Sequence, residues 1–333
     1  MKGKTLAMET RRNELGTKVH RSFLPRRQNQ DRLASRTLFL LTLLPPVLVL
    51  VILIALAVRA WPILSEHTLW ELLGGTEWKP LQGLFGFWPF IAGTVWVTVA
   101  AAALAIPPCL LTAIYLSEYA RQSTRAVMKP LLDLLAAIPS VVYGVWGMVA
   151  IVPWVEHSLA PFFKRWLGFL PFFVSANPTG FGVLAGGIVL AVMIAPFIIA
   201  VTYEVMATVP EGLRQASLAL GATRWQTVKS AVLPQTLPGI LAGIVLGASR
   251  ALGETMAVLM VVGNVPQVPG SVFDAAYPLP ALIANNYGEM MSIPMYDAAL
   301  MGAALILLVI VLVFNAASTL VLRRIMGRVR RAW

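Results

Sequence analysis

The chain has 333 residues, of which 58% are hydrophobic and only 12% charged. That leaves too little polar surface to cover a soluble globule of this size, so a water-soluble enzyme or binding module is excluded and a bilayer is the expected solvent. The formal net charge of +11 admits nucleic acid as a partner until the basic residues are placed along the chain.

Residues 1–36 hold ten Lys/Arg and three acids with little hydrophobic periodicity, which predicts a basic cytoplasmic N-terminal tail. Thr37–Val58 then carries no charge. At about 1.5 Å rise per residue it is long enough for a hydrocarbon core of about 30 Å. Arg59, Trp61 and Pro62 close this run as an interfacial boundary rather than as a signal-peptide cleavage site. Further apolar stretches at 88–116, 127–152, 181–205, 232–262 and 296–322 bring the expected count to six spans, and a basic tail at 323–333 ends the chain. Pro45-Pro46 and Pro107-Pro108 remove backbone donors and predict kinks in the first two spans. The one cysteine, Cys109, lies in an apolar run, which rules out a disulfide or thiolate cluster within the chain. His20, His67 and His157 fall in separate non-membrane segments, so a shared metal site is not expected.

Twenty-one of the 26 Lys/Arg fall on one side of this layout: in the two tails, at Arg121, Arg125 and Lys129, and at Arg214, Arg224 and Lys229. The opposite loops, around 62–87, 153–180 and 263–295, hold only Lys79, Lys164 and Arg165 and are rich in Trp, Phe, Pro and Gly. The positive-inside rule therefore puts both termini in the cytoplasm, and the basic charge reports topology rather than nucleic acid.

The loop at 206–231 carries its own helical signal. Pro210 and Glu211 suit a first turn, Leu213, Ala216 and Leu220 recur at helical spacing, and Gly221 suits a C-terminal cap, so a short amphipathic helix is expected over 211–221. Between 239 and 247, Gly239, Gly243 and Gly247 are four apart and make a smooth stripe for another helix. Arg250 and Glu254 are also four apart, which on a continuous helix puts them on one face and lets them pair. An arginine at the centre of a membrane helix costs about 2.5–3.5 kcal/mol even on the lenient scale, so it is expected to face a partner or a polar path. Either a structural ion pair or an anion-translocation element fits, the latter because a guanidinium fork matches phosphate oxygens. Asp133, Ser140, Tyr143, Glu204 and Asn315 are the other polar residues in or near spans. Structural roles are expected for them, with Ser140 beside Pro139 able to satisfy a freed carbonyl.

The loop resembles the Glu-Ala-Ala…Gly…Leu-Pro loop of ABC importer permeases, with Gln215, Ala216, Ser217, Gly221, Leu233 and Pro234 on that spacing. Gln215 stands where the motif has its acid, Ser217 where it has its second Ala and Ala231 where it has Ile. The run from Arg250 through Glu254, Met256 and Met260 to Asn264 resembles PstC-type phosphate permeases, and the likeness covers about residues 88–322. The resemblance implies an all-α, polytopic ABC importer type I permease fold in a bacterial inner membrane. It implies ATPase coupling through Glu211, Arg214, Gln215, Ala216, Ser217, Gly221, Leu233 and Pro234, and a transport role for Arg250 and Glu254. It further implies a PstA-type permease partner, a PstB-type ATPase and a PstS-type phosphate-binding protein. The chain lacks a GxxxxGK[ST] phosphate loop, so ATP-Mg is expected on the partner ATPase and no cofactor in this chain. Import of sulfate, molybdate or phosphonate is the neighbouring alternative. A self-sufficient secondary transporter would call for more acids or Gly/Pro breaks at midplane, and a membrane enzyme for a His/Asp/Glu cluster or a nucleophile–base pair.

Overall fold

A computed structural model describes residues 2–175, 179–288 and 294–329, with side chains described for 32–175, 179–288 and 295–327. Arg330 and Arg331, the side chains of His20 and most of the basic tail, and the outer-loop segments 176–178 and 289–293 lie outside those residues. Residues Met1–Ala55 form one compact unit and Leu56–Trp333 a second. The first unit is helical from Lys2, as part of helix α1 (Lys2–Glu66).

The second unit holds every other element. An outer segment contains the short helix α2 (Leu69–Gly74) and an antiparallel hairpin of β1 (Trp78–Lys79) and β2 (Leu84–Phe85), with Trp78 opposite Phe85. Then come α3 (Trp88–Ile114, prolonged by a π turn at Tyr115–Tyr119), α4 (Gln122–Ala137), α5 (Ser140–Leu167) and α6 (Val183–Ala207). The chain continues as α7 (Glu211–Ala219), α8 (Arg224–Leu252), α9 (Met256–Leu259), α10 (Leu279–Asn286) and α11 (Pro294–Val329).

Five described helices are long and apolar enough to cross a membrane: Arg32–Glu66, Trp88–Tyr119, Val183–Ala207, Arg224–Leu252 and Met295–Gly327. A sixth is available if α4 and α5 together make one crossing. The protein is therefore an all-α polytopic membrane protein, with one small hairpin that hydropathy did not foretell.

Two expected spans are not continuous. The stretch 127–152 breaks at Ile138-Pro139, and α4 and α5 meet at 89°. Pro139 lacks a donor and disfavours the helical region for the residue before it, and Ile138 is extended at ψ 128. The freed Leu135 carbonyl accepts from the Tyr143 hydroxyl at 2.9 Å, the task expected of Ser140. The stretch 232–262 ends as a helix at Leu252, where Gly253 caps it, and resumes only as the one-turn α9. By contrast, α3 runs unbroken through Pro107 and Pro108.

Lipid tails are as apolar as leucine, so helices in a membrane associate through close packing rather than through expulsion of water. Small residues supply that closeness here. A Cβ on Gly187 of α6 would lie 2.8 Å from Ala100 Cβ of α3, and one on Gly186 3.2 Å from Val97 Cγ1. The Gly239, Gly243 and Gly247 stripe of α8 receives Val205, Val201 and Ile198 of α6, as the spacing predicted. Around the α3–α6 seam, Val97, Ala101, Ala105, Cys109, Leu190 and Ile194 are buried together. The far side of α8 is joined to α11 by Ser249, whose hydroxyl donates to Asn315 Oδ1 at 3.0 Å. A second core gathers Ile63, Leu72, Phe87, Phe90, Leu279 and Leu300, with Trp78 edge-on to Phe85, Phe90 and Tyr296.

Candidate functional site

Two places gather the residues that the sequence singled out: the loop helix α7 and the break after α8.

Helix α7 starts after Pro210, which is extended at ψ 135, and Gly221 at φ 84 terminates the turn after it, a conformation that costs glycine no steric strain. Its two faces differ from the expected apolar stripe. Leu213 packs against the cluster of Met206, Val209 and Val232, whereas Ala216 is exposed and Leu220 is 89% exposed. Facing the bundle with Leu213 are Arg214 and Ser217; facing away are Glu211, Gln215 and Ala216. The Ser217 and Thr227 hydroxyls hydrogen-bond at 2.9 Å and fasten α7 to the start of α8. Leu233 and Pro234 are half-buried inside α8, just past a π turn at Val228–Val232. The eight residues assigned to ATPase coupling thus divide: Glu211, Gln215, Ala216 and Gly221 are open to a partner, Arg214 and Ser217 fasten the loop to its own chain, and Leu233 and Pro234 lie half-buried within α8.

Arg214 is the most committed of them. Its Nε donates to Glu118 Oε2 at 3.0 Å and its Nη2 to Glu118 Oε1 at 2.9 Å, a fork-to-fork pair. Nη2 also donates to the Met206 carbonyl at 2.9 Å and Nη1 to that of Val209 at 2.5 Å, carbonyls at and just past the end of α6. The side chains of Arg214 and Glu118 are only 13% and 9% exposed. Hydrogen bonding to Glu118 raises the pKa of the Arg214 guanidinium further, against the opposing effect of burial. Ser117 Oγ donates to Glu118 Oε1 at 2.9 Å and Arg125 Nη2 to the Ser117 carbonyl at 2.6 Å, so the network reaches the first turn of α4. Sequence reasoning missed Glu118; the only local signal was an acid at the C-terminal end of a span, the end that a helix dipole makes unfavourable for it. At this network, Arg125, Lys129, Asp133, Tyr203 and Glu204 line a small open cavity of about 30 Å³, which places the expected polar residues Asp133 and Glu204 at the helix ends around it.

At the other place, the break after Leu252 separates the charges that a continuous helix would have paired. Among the described residues no acid lies within 4 Å of the Arg250 guanidinium. Arg250 is exposed in the last turn of α8, where the helix dipole favours a cation, and its Cζ sits 4.2 Å from the centre of the Phe197 ring. Glu254 turns the other way along the chain, its Oε1 accepting from the Ala257 N–H of α9 at 3.3 Å. Thr255 and Gly253 close the bend by a further hydrogen bond, and Asn264, at φ 53, ends the segment by donating to the Leu259 carbonyl at 2.8 Å. The chemistry on offer is an uncommitted guanidinium on an aromatic plane, with a carboxylate four residues on that is already engaged by backbone.

Among the described residues no group of His, Cys, Asp or Glu is placed to hold a metal ion. His67 packs edge-on to Phe85, and His157 Nδ1 lies 2.9 Å from the Pro153 carbonyl.

Comparison with known proteins narrows the reading. Residues 109–331 match the model of the binding-protein-dependent transport system inner membrane component family. The chain is 38% identical over 258 residues to the phosphate transport system permease protein PstC of Pasteurella multocida, covering 77% of this chain and 80% of that protein. It is 35% identical over 283 residues to the protein of the same name from Haemophilus influenzae, covering 84% and 89%. In fold it is similar to a chain of the inward-facing MetNI methionine ABC transporter, with a TM-score of 0.50 at 19% identity over 75% of this chain and 99% of that one.

Proposed function

The chain belongs to the family of inner-membrane components of binding-protein-dependent transport systems, and from that premise we propose that it is the permease subunit of an ATP-driven importer of inorganic phosphate. The observation that carries the substrate is kinship: relatives matching most of both chains are named for phosphate transport. The chain builds half of the translocation path and a PstA-type subunit the other half, with a PstB-type ATPase binding and hydrolysing ATP-Mg and a PstS-type protein delivering phosphate from outside. No enzymatic step and no cofactor is assigned to this chain itself.

The permease domain, 37–322, sits in a bacterial inner membrane between tails at 1–36 and 323–333. Counting α4 and α5 as one crossing gives six, an even number consistent with both termini on one side, and the excess of Lys/Arg expected there supports the cytoplasmic side. Helix α7 then faces the ATPase with Glu211, Gln215, Ala216 and Gly221, the small residues allowing a close seat in a groove.

Arg250 is the group that meets the anion. Among the described residues no acid pairs with its guanidinium, so two parallel N–H donors are available to phosphate oxygens, and Phe197 supports it when no anion is present. Binding must stay weak enough for release. Glu254, of like charge to the substrate and lying just past the helix break, opposes overly tight retention. ATP-driven closure at α7 switches the path between its two openings, as differential binding requires.

The test is ATP hydrolysis and uptake by the four-component complex in liposomes, supplied with binding protein loaded with phosphate, sulfate, molybdate or phosphonate. Stimulation by the phosphate-loaded protein alone is expected. Stimulation by another oxyanion alone replaces the cargo, and uptake by this chain without any ATPase overturns the permease-subunit reading.

A further inference from the structure

We propose that the Arg214–Glu118 pair is a mechanical link that delivers movement of the docking helix α7 to α3, a span to which α7 has no nearby covalent connection; the proposal rests on the reading of α7 as the ATPase-facing element. Covalently, α7 is joined only to α6 and α8, through joints at Pro210 and Gly221. Glu118 is 96 positions away in sequence and lies at the end of α3, the helix that seats Val97 and Ala100 against Gly186 and Gly187 of α6.

Three features of the pair suit transmission better than mere filling. The contact is bidentate, and a planar fork held at two points resists rotation as well as separation. The same guanidinium grips the carbonyls of Met206 and Val209, so one side chain binds α7, the end of α6 and the end of α3 as a single body. Each charge also sits at the wrong pole of its helix: Glu118 is at the C-terminal end of α3 and Arg214 in the first turn of α7. Alone, each is disfavoured by its helix dipole; together they neutralise each other, which makes a made contact strongly preferred over an open one. The Ser117 hydroxyl donates to Glu118 and Arg125 holds the Ser117 carbonyl, while Arg214 is flanked on α7 by Glu211, whose carboxylate lies 3.8 Å from Nη1.

The motif's acid is absent at position 215, so the adjacent Arg214 gives this loop its one bidentate ion pair, directed inward to its own chain. A groove on the ATPase would hold the outward face, while Arg214 conveys its displacement inward. Arg214 and Glu118 are positioning residues and touch no substrate.

The experiment uses the full complex in proteoliposomes with Glu118→Gln, which keeps size and acceptor capacity on one oxygen but removes the charge, and Arg214→Lys, which keeps charge but loses the fork. Three quantities are read on each: co-purification of the ATPase, ATP hydrolysis stimulated by loaded binding protein, and phosphate imported per ATP hydrolysed. Expected are a wild-type complement of ATPase, hydrolysis within about twofold of wild type, and import per ATP reduced about tenfold or more for Glu118→Gln and less for Arg214→Lys. Wild-type import per ATP in Glu118→Gln overturns the link. Loss of the assembled complex in both variants overturns it as well, because the pair then serves folding only. Failure of the docking reading is separately visible: a cysteine at Ala216 on the outward face of otherwise wild-type α7 does not crosslink to the ATPase.

Discussion

Arg214 and Arg250 are the same side chain in opposite circumstances. Arg214 is largely buried and spends its donors on one carboxylate and two carbonyls, whereas Arg250 is exposed and rests on a phenyl ring with no acid in reach among the described residues. A saturated guanidinium is a fastener. An unsaturated one, in a membrane where charge is costly, is available to a ligand that comes and goes. The contrast supports the proposed division of the two arginines, Arg214 for transmitting force and Arg250 for meeting the cargo.

The sharpest way to break the contrast is Arg250→Ala. Because Arg250 is exposed and pairs with no acid among the described residues, the complex is expected to assemble normally while phosphate uptake falls by about 100-fold or more, about 2.7 kcal/mol or more of anion stabilisation by the usual tenfold rule. Wild-type uptake by this variant returns Arg250 to a structural role. Gly243→Leu tests the scaffold beneath both arginines. A Cβ there lies 3.0 Å from Val201 Cγ1, so the larger side chain should force α8 off α6 at a cost of about 1–3 kcal/mol, read as a lower melting temperature in detergent. An unchanged melting temperature would mean that the seam is not close-packed.

The smallest effect concerns a region with neither role. Thr68 caps α2 in a capping box, its backbone N–H donating to Glu71 Oε2 at 3.1 Å, and hydrogen bonds from Thr68 hold the Glu71 carboxyl below its ordinary range. A depressed carboxylate stabilises the folded form above its ordinary pKa, and that contribution disappears as pH falls through the depressed value. Protection of the Leu69–Gly74 amides, taken relative to their intrinsic exchange rate at each pH, should therefore fall on acidification below the usual carboxylate range, more than that of α7. Equal protection at both pH values would deny the cap any weight.

Much of this was legible along the chain. The apolar runs located the membrane helices, the four-residue spacing of Gly239, Gly243 and Gly247 predicted a close helix seam, which α6 fills, and Pro210 with Gly221 bounded the loop helix. Where hydropathy misled, local backbone chemistry had competed with it. Apolar content carries through Ile138-Pro139 and through Gly253, yet a missing donor bends the chain at the first and a capping glycine ends the helix at the second. The supposed Arg250–Glu254 face depended on an unbroken helix and disappeared with it.

Composition, charge asymmetry and small-residue spacing act locally or statistically, and by themselves they determined a polytopic helical membrane protein with a capped loop helix and an isolated pair of charges. Which charges meet is a different matter. Arg214 reaches Glu118 across 96 positions, and Arg250 finds Phe197 on another helix, because an ion pair or a cation–π contact depends on distance in space, and only the packing of α3, α6 and α8 sets those distances.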